Sequence, residues 1–412
     1  MLEFRENGLY LGGVSLTSIA KKHRSPAYVY DIDGMVGRVR ELQEAFNGKA
    51  EIHYATKANA NPEILKAFKK EKIGVDTVSW GEAQSAVDAG FSHKDIIFSG
   101  VAKSEEELTK AIKYQIKQIN VESPQELIRI GEIAKKLKKK VPVAFRMNPN
   151  VNPGTHPYIT TGFRENKFGM DTSFLPELRG ILTKYKKYVE LKGLTLHIGS
   201  QILELNSLKE AIQKTIPIYL DFKNSGYPLE TFDIGGGVGI PYDGKDSIDL
   251  KAYGKMVLEL LRPLNCRIIT EPGRVLVAPF AVLLTEIQYI KKTPFKNFAI
   301  VNSGMNHLLR PSLYGAVHRI FPVDYREPEE ADNGNSELYD IVGPICESSD
   351  FFGKDRYLPK LEQGDILAVL DAGAYGYSMA SFYNHHRLPL EIVISKKQVK
   401  VLKKPSLPKN LF

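Results

Sequence analysis

The sequence predicts an α/β protein in which a (β/α)8 barrel is combined with an antiparallel β domain. Eight short runs of apolar and β-branched residues alternate with amphipathic helical segments between residues 51 and 271. After residue 275 the helical segments stop, and the remaining apolar segments have the spacing of strands. The chain has 412 residues, which is more than one typical compact core contains and leaves room for a barrel and a smaller domain.

The predicted barrel occupies residues 32–275. Helical spacing is clearest at 62–72, 104–114 and 124–137, and Ser104 with Glu107 three residues later forms a predicted capping box. Parallel strands need crossover helices, and eight strand–helix units close a sheet into a barrel. The eight predicted strands are 51–56, 75–79, 96–99, 118–122, 141–146, 193–197, 232–235 and 267–271.

The predicted β domain, a β-sandwich or β-barrel, combines residues 1–31 with residues 276–412. The opening stretch is short and has no barrel partner, so we assign its strand to this second domain. Turn residues separate the later segments, which are apolar or alternate in polarity. The predicted strands of this part are 280–290, 297–302, 339–342, 365–370 and 390–394.

Charge and cysteine usage narrow the partners that we expect. The formal net charge is +8, and much of it lies in lysine runs at 135–140 and 403–404 without interleaved aromatic residues, so we expect solvated surfaces and no nucleic-acid partner. No apolar run reaches the roughly 18 residues of a membrane span, and the first ten residues do not resemble a secretory signal. Two cysteines, Cys266 and Cys346, are too few for a disulfide framework, which favours the cytoplasm. We expect no metal site.

Polar residues with chemical potential follow several of the predicted barrel strands. Catalytic groups of such barrels stand at the carboxyl ends of the strands. Taken alone, each group has an ordinary structural explanation: a surface lysine, a core histidine, a flexible glycine turn or a paired surface acid. The glycine run also matches a dinucleotide fingerprint only loosely, because Ile240 occupies the last glycine position. The groups are Lys57 after the first strand, His197 and Ser200 after the sixth, Gly235–Gly237 after the seventh, and Glu271 and Arg274 after the eighth.

Together these groups fit one cofactor, pyridoxal phosphate. The cofactor requires a lysine for a Schiff base, which Lys57 provides. Its phosphate requires closely approaching backbone N–H groups, and we expect the glycine run to supply them at the start of a helix whose dipole favours an anion. A carboxylate such as Glu271 keeps the pyridine nitrogen protonated and makes the ring a strong electron sink, which suits decarboxylation.

Six motifs in this order, YATKAN, HIGS, DIGGG, EPGR, CESSD and DAGAY, resemble the barrel-type pyridoxal-phosphate decarboxylases, a group that includes ornithine and diaminopimelate decarboxylases. The resemblance covers almost the whole chain. It implies that Lys57 carries the cofactor, that His197 stacks on its ring and that Glu271 pairs with the pyridine nitrogen. It also implies that the phosphate is surrounded by Ser200, Gly235, Gly236, Gly237, Gly273, Arg274 and Tyr375.

Residues 304–314 resemble the diaminopimelate enzymes within that group. The resemblance implies that Arg310 and Tyr314, assisted by Arg274 and Tyr375, bind the distal carboxylate of the substrate. A guanidinium matches a carboxylate bidentately and would repel a terminal ammonium, so ornithine or lysine is a poor fit. The expected reaction converts meso-2,6-diaminopimelate into L-lysine and carbon dioxide.

The same resemblance gives roles to the CESSD motif. It implies that Cys346 is the proton donor to the product and that Glu347 binds the distal ammonium. Both are expected to serve the neighbouring subunit's site, which implies a homodimer with shared active sites. Residues 381–384 read Ser-Phe-Tyr-Asn, whereas these enzymes usually have Ser-Asn-Tyr-Asn, and we expect Phe382 to affect local packing more than activity.

Other functions remain open on the sequence. A decarboxylase for carboxynorspermidine or a carrier-linked glutamate would also use an arginine and a tyrosine for a distal carboxylate. A racemase of this fold is disfavoured because such enzymes place an arginine at the pyridine nitrogen, where this chain has Glu271. A non-catalytic regulator derived from a decarboxylase is disfavoured because Lys57, Glu271 and Cys346 are all present.

Overall fold

The computed structural model describes residues 2–154, 156–162, 166–244, 248–325 and 336–403. The chain forms two compact units. The first consists of Arg38–Ile240 and Asp246–Val275, and the second of Met1–Gly37, Pro241–Lys245 and Leu276–Phe412.

Twenty β-strands occur in these residues, and we number them in chain order. Four precede the barrel: β1 (Leu2–Arg5), β2 (Gly8–Leu11), β3 (Val14–Ser15) and β4 (Ala27–Asp31). Eight follow: β5 (Ala50–Ala55), β6 (Gly74–Thr77), β7 (Ile96–Phe98), β8 (Gln118–Val121), β9 (Val141–Met147), β10 (Val189–Leu196), β11 (Thr231–Asp233) and β12 (Arg267–Thr270). The last eight are β13 (Ala281–Lys292), β14 (Asn297–Val301), β15 (Ile320–Pro322), β16 (Ser336–Val342), β17 (Phe351–Pro359), β18 (Ile366–Val369), β19 (Leu390–Ser395) and β20 (Gln398–Lys403).

Eleven α-helices lie in the same described ranges. They are α1 (Leu16–Lys22), α2 (Ile32–Ala45), α3 (Pro62–Lys70), α4 (Trp80–Asp88), α5 (Glu105–Tyr114), α6 (Pro124–Leu137), α7 (Leu175–Lys184), α8 (Leu205–Asn224), α9 (Leu250–Leu261), α10 (Arg274–Val277) and α11 (Arg310–Tyr314). None of them is long and apolar enough to cross a membrane.

Strands β5 to β12 form a closed barrel in which every neighbouring pair is parallel. The predicted eight-stranded barrel is therefore confirmed, and each observed strand overlaps its predicted range. Strands β6, β7 and β8 are buried along their whole length because helices cover the outside and side chains fill the inside.

The barrel helices begin at sequence signals that satisfy their first N–H groups. Ser104 accepts a hydrogen bond from the backbone of Glu107, whose side chain accepts in return from the backbone of Ser104, so the predicted capping box is present. Ser123 caps α6 by accepting from the backbone N–H of Glu126, with Pro124 in the first turn, while the Glu126 side chain accepts from the backbone N–H of Glu122. These caps mark where each helix starts.

The second unit is built on a mixed sheet in which most strand pairs are antiparallel. Its path runs β17-β16-β14-β13-β4-β19-β20, with β18 pairing β13 and β15. The parallel pairs are β14 with β16 and β4 with β19. Strand β4 lies between β13 and β19, so an N-terminal strand belongs to this sheet, as predicted. Strands β1, β2 and β3 form a separate three-stranded antiparallel sheet. The core of the second unit includes Val29, Leu284 and Ile392, which are buried.

Candidate active site

Lys57 follows β5 directly, in the single 3-10 turn Thr56–Ala58. Its Nζ lies 3.5 Å from Oδ2 of Asp76, which is buried in the neighbouring strand β6. The lysine side chain is 35% exposed, so the amine is reachable from solvent while its carboxylate partner is not. This combination of access and a fixed partner suits a lysine that must form and release a covalent bond.

Glu271 follows β12 and is buried beside two further carboxyl groups, those of Asp76 and Asp233. Asn120 Nδ2 donates a hydrogen bond to Oε1 of Glu271 over 3.2 Å. Burial raises the pKa of Glu271 well above its usual range, and the negative charges of Asp233 and Asp76 raise it further. Burial likewise raises the pKa of Asp233. A cation placed against this cluster would relieve the repulsion and let Glu271 ionise.

His197 follows β10 and is partly buried. The backbone N–H of Gly236 donates to its Nδ1 over 3.2 Å, so Nδ1 carries the lone pair and Nε2 carries the proton of the neutral ring. Burial holds the pKa of His197 well below its usual range, and the positive charges of Lys57 and Arg146 lower it further. The ring is therefore neutral at physiological pH, as a group that stacks on an aromatic ring should be.

The glycine run after β11 has no room for side chains. Gly235 and Gly237 have φ values of +65° and +107°, in the left-handed region that favours glycine. A Cβ on Gly235 would lie 2.2 Å from the Leu196 carbonyl oxygen, and one on Gly236 would lie 2.1 Å from the Glu271 carbonyl oxygen. Only glycines allow the backbone of this loop to approach its neighbours, and a bound anion, so closely.

Two polar side chains of the barrel unit are joined by a hydrogen bond. Buried Arg274 donates from Nη2 to Oγ of Ser200 over 2.9 Å. Gly273 precedes this arginine. A Cβ placed on Gly273 would lie 3.2 Å from the Cβ of Ala58, so the two residues are closely packed. The structure thus brings Ser200 and Arg274 together, and a guanidinium next to a hydroxyl is a suitable donor pair for a phosphate.

The prediction that a helix starts directly after the glycine run is wrong. β11 ends at Asp233, and the next α-helix, α9, begins only at Leu250. Glycine and proline favour helix poorly, and the run is followed by Pro241 and Gly244, so a helix starts only where Asp249 caps it by accepting from the Lys251 N–H over 2.8 Å. Any anion held here is bound by loop N–H groups and side chains, without a helix dipole.

In the second unit, Arg310 and Tyr314 are the first and last residues of α11, so four-residue spacing sets them on one side of a single turn. Arg310 is buried, 4% exposed, while Tyr314 is partly exposed. The Arg310 guanidinium lies over the Tyr242 ring, 4.1 Å from its centroid, and Nη1 donates to Nε2 of His318 over 2.7 Å. The planar guanidinium has a donor geometry that matches a carboxylate bidentately.

Cys346 and Glu347 lie in the loop between β16 and β17. Hydrogen bonds to the buried Asp350 side chain hold this loop in place. The two carboxylate oxygens of Asp350 accept from the backbone N–H groups of Met305 and Ile345, each over 2.6 Å. The Cys346 side chain is exposed, so this thiol is open to a reaction partner.

Residues 383 and 384 contact the same loop. The backbone N–H of Cys346 donates to Oδ1 of Asn384 over 3.2 Å. Glu347 accepts from the hydroxyl groups of Tyr383 and Ser349, and these bonds lower the pKa of Glu347, which is therefore anionic at neutral pH. The segment that departs from the usual pattern at Phe382 thus holds the Cys346–Glu347 loop through its next two residues.

Tyr375 has φ +56°, a left-handed conformation that is strained for a tyrosine. The nearby Gly373 is packed so tightly that a Cβ there would lie 2.0 Å from the Val277 carbonyl oxygen. Strain of this kind persists only where the surroundings impose it, and it concentrates at ligand sites. The backbone of the DAGAY motif thus adopts an unusual conformation at Tyr375, the tyrosine that is predicted to bind the ligand.

Comparison with known proteins gives the family. Residues 33–278 match the family model described as pyridoxal-dependent decarboxylase, pyridoxal binding domain. The diaminopimelate decarboxylase of Aquifex aeolicus is 40% identical over 98% of this chain and 94% of that protein, and that of Helicobacter pylori strain J99 is 42% identical over 95% of each. The crystal structure of the Helicobacter pylori diaminopimelate decarboxylase complexed with L-lysine matches with a TM-score of 0.89 and 41% identity, covering 95% of this chain and 96% of that one.

The chain belongs to the diaminopimelate decarboxylase family. The family predicted from the six motifs and the combination of a barrel with a β domain are therefore confirmed. The cofactor of this family is pyridoxal phosphate.

The barrel residues fit this cofactor. A glycine loop without room for Cβ atoms accommodates a phosphate, and a buried cluster of three carboxyl groups calls for the positive charge of a protonated pyridine nitrogen. Lys57 stands beside that cluster through its contact with Asp76. No group of three or more histidine, cysteine or acidic side chains suited to a metal ion occurs among the residues that the structure describes.

Three further polar residues, Asp76, Asp233 and Asn120, belong to the site although the motifs alone did not indicate a role for them. All three stand in barrel strands that are buried along their whole length. A polar residue within such a strand costs free energy unless it is paired. A polar residue in an otherwise apolar predicted strand was therefore the sequence feature that could have identified them. The structure shows that they surround Lys57 and Glu271.

Proposed function

We propose that this protein decarboxylates meso-2,6-diaminopimelate at its D-centre, releasing L-lysine and carbon dioxide as the last step of lysine biosynthesis. The observation that carries the proposal is the buried Arg310, held by Tyr242 and His318 within a family of diaminopimelate decarboxylases. A buried guanidinium favours a carboxylate ligand, and the distal carboxylate of diaminopimelate supplies one.

In the barrel, Lys57 would carry the cofactor as a Schiff base. The cofactor phosphate would be held by Ser200, Gly235, Gly236, Gly237, Gly273, Arg274 and Tyr375. Once bound, pyridoxal phosphate supplies an electron sink for the bond that releases carbon dioxide. Glu271 would hold a proton on the pyridine nitrogen by hydrogen bonding and charge, and His197 would contribute a neutral ring beside the cofactor.

The remaining residues would bind the distal end of the substrate and protonate the product. Arg310 and Tyr314, with Arg274 and Tyr375, bind the distal carboxylate, and anionic Glu347 binds the distal ammonium. Fixing the distal end orients the other carboxylate for loss. Cys346 then delivers a proton from Sγ to the carbon that has lost carbon dioxide.

A carbon dioxide release assay tests the proposal. The holoenzyme is expected to release carbon dioxide from meso-diaminopimelate and at most slowly from lysine, ornithine or arginine, because these lack a distal carboxylate. Lys57→Ala, the matched control, should be inactive on all four. Preference for carboxynorspermidine or a carrier-linked glutamate would contradict the substrate assignment, and a wild-type holoenzyme that is inactive on every substrate would indicate a regulator.

We propose further that the protein is a homodimer in which Cys346 and Glu347 complete the partner's site. Lys57→Ala and Cys346→Ala proteins are each expected to be nearly inactive. After subunit exchange their heterodimers contain one site with both defects and one intact site. Mixing equal amounts should therefore restore about a quarter of wild-type activity, because half of the dimers are mixed and each has one of two sites.

The measurement is activity against mixing ratio, with exchange verified by differently tagged subunits. Mixing Lys57→Ala with a Lys57→Ala, Cys346→Ala double variant is the control, since no combination of these has an intact site. Proven exchange without recovered activity would place Cys346 in its own subunit's site.

We also propose that residues 32–275 form the pyridoxal-phosphate-binding barrel domain and that residues 1–31 and 276–412 form the antiparallel β domain. The extent of the matching family model, residues 33–278, supports this division. A cytoplasmic location would keep Cys266 and Cys346 as the free thiols that the structure contains.

A further inference from the structure

Strand β8 carries two amide side chains, Gln118 and Asn120, on its inner face. They are two residues apart, so they point to the same side of the strand, and they are only 2% and 1% exposed. Both reach groups across the barrel, Thr231 on β11 and Glu271 after β12, which are not neighbours of β8 in the sheet. Barrel interiors are usually packed with branched apolar residues, because buried amides cost free energy unless they are paired. The partners of these amides therefore indicate what the amides do.

Every polar atom of the Asn120 side chain has a partner. Nδ2 donates to Oγ of Ser99 over 3.0 Å and to Oε1 of Glu271 over 3.2 Å, so both of its hydrogens are used. Oδ1 accepts from Nε2 of Gln118 over 2.7 Å. The side-chain oxygen of Gln118 lies 3.4 Å from the hydroxyl of Thr231. The two amides thus link β11 to Glu271 through the barrel interior.

The direction of these hydrogen bonds depends on the charge of Glu271. An ionised carboxylate only accepts hydrogen bonds, so Asn120 must turn its NH2 group towards Glu271 and its oxygen towards Gln118. Gln118 holds the amide in this orientation by donating to that oxygen. A reversed amide would place Oδ1 against Oε1 of Glu271, where two acceptor oxygens repel each other unless Glu271 keeps a proton. The observed arrangement therefore favours ionised Glu271.

Other neighbours of Glu271 oppose its ionisation. Burial raises the pKa of Glu271, the charges of Asp233 and Asp76 raise it further, and the positive charge of Lys57 lowers it. A carboxyl group with a raised pKa competes with the pyridine nitrogen for the proton that the two groups share. A hydrogen bond donated to the carboxylate stabilises its ionised form and shifts this competition towards the nitrogen.

We propose that Asn120, oriented by Gln118, is a positioning residue that keeps the shared proton on the pyridine nitrogen by donating a hydrogen bond to Glu271. The inference rests on the proposed role of Glu271 at that nitrogen. It gives a function to two residues outside the six motifs and explains why amides occupy the interior of the barrel at β8.

The test uses holoenzyme loaded with pyridoxal phosphate that is isotopically labelled at the ring nitrogen, whose NMR chemical shift reports the protonated fraction of that nitrogen. Asn120→Leu removes the donor. Asn120→Asp keeps the shape and the acceptor for Gln118 but replaces the donating group by a carboxylate oxygen. Both variants should lower the protonated fraction and lower kcat about 10-fold or more, because a hydrogen bond to a charged group is lost. KM should stay within about 3-fold of wild type, since substrate binding is not affected.

Ser99→Ala is the matched control. It removes the other hydrogen bond of the same Asn120 NH2 group and leaves the one to Glu271, so the chemical shift should match wild type and kcat should stay within about 3-fold. Gln118→Leu should lower the protonated fraction in the same direction as Asn120→Leu and should add nothing in the Asn120→Leu background, because Gln118 acts through Asn120.

The Glu271→Gln background separates this inference from the proposed role of Glu271. There, Asn120→Leu should change kcat by no more than about 3-fold, because Asn120 acts through the carboxylate. A wild-type chemical shift in both Asn120 variants, a penalty that persists in the Glu271→Gln background, or loss of cofactor binding by both Asn120 variants would overturn the positioning role. If Glu271→Gln itself kept the ring proton and a normal kcat, the proposed role of Glu271 would fail instead.

Discussion

Arg310→Ala is expected to lower kcat/KM for diaminopimelate by about 30- to 1000-fold. The guanidinium is buried, and on its proposed role its removal would leave the distal carboxylate of the substrate desolvated without a charged partner. That penalty is roughly 2–5 kcal/mol, which corresponds to this range. The measurement is steady-state carbon dioxide release with the purified holoenzyme.

The loss should be selective for the distal carboxylate. Cofactor affinity should stay near that of wild type, since Arg310 is not among the groups assigned to the phosphate, and any slow turnover of lysine as a substrate should not become worse. Arg310→Lys is the matched variant: it keeps the charge but loses the planar fork, so an intermediate loss is expected. Normal diaminopimelate turnover by Arg310→Ala would remove the argument for this substrate.

Glu271→Gln is expected to lower kcat by about 100-fold or more while the protein still binds its cofactor. The amide has nearly the shape of the carboxyl group but cannot hold a proton on the pyridine nitrogen through a negative charge. Loss of one preorganised electrostatic group typically costs ~10²-fold or more in turnover. Because Glu271 lies beside Asp233 and Asp76, the change also removes repulsion among buried carboxylates, so the fold should tolerate it.

Visible absorbance of the bound cofactor and kcat should be measured on the same Glu271→Gln preparation. Glu271→Asp, the matched variant, keeps the charge but withdraws it by one methylene, and we expect it to lose less activity than the amide. If the amide variant turned over at a near-normal rate with full cofactor occupancy, the role of Glu271 at the pyridine nitrogen would be excluded.

The barrel was predictable because its signals are local. Each strand is an apolar run that ends at a polar or glycine residue, and caps such as Ser104 mark the helix starts. The observed and predicted ends of β5, for example, differ by one residue at each end. The β domain was less predictable in detail: β17, Phe351–Pro359, has Lys354, Asp355 and Arg356 in its middle, and only pairing with β16 makes it a strand.

In the site, too, residues in local motifs were predictable and residues placed by long-range pairing were not. Lys57, Glu271 and the glycines stand at strand ends in recognisable motifs, so their positions followed from the sequence. His318 did not, because it is eight residues from Arg310 in the chain and Leu370 is distant from both. Only the β15–β18 register brings these groups together. The helix wrongly expected after the glycines failed for a local reason, the Gly- and Pro-rich composition up to Gly244.

The fastening of the CESSD loop by Asp350 has a consequence for protein engineering. Both oxygens of this carboxylate bind backbone N–H groups, those of Met305 and Ile345, so the main chain is held on either side of residues 346–349 by contacts that their side chains do not make. Residues 347–349 can therefore be exchanged with little cost to folding, because the backbone on both sides of them is held. We expect libraries restricted to these three positions, with Cys346 kept as the proposed proton donor, to yield folded proteins with altered selectivity.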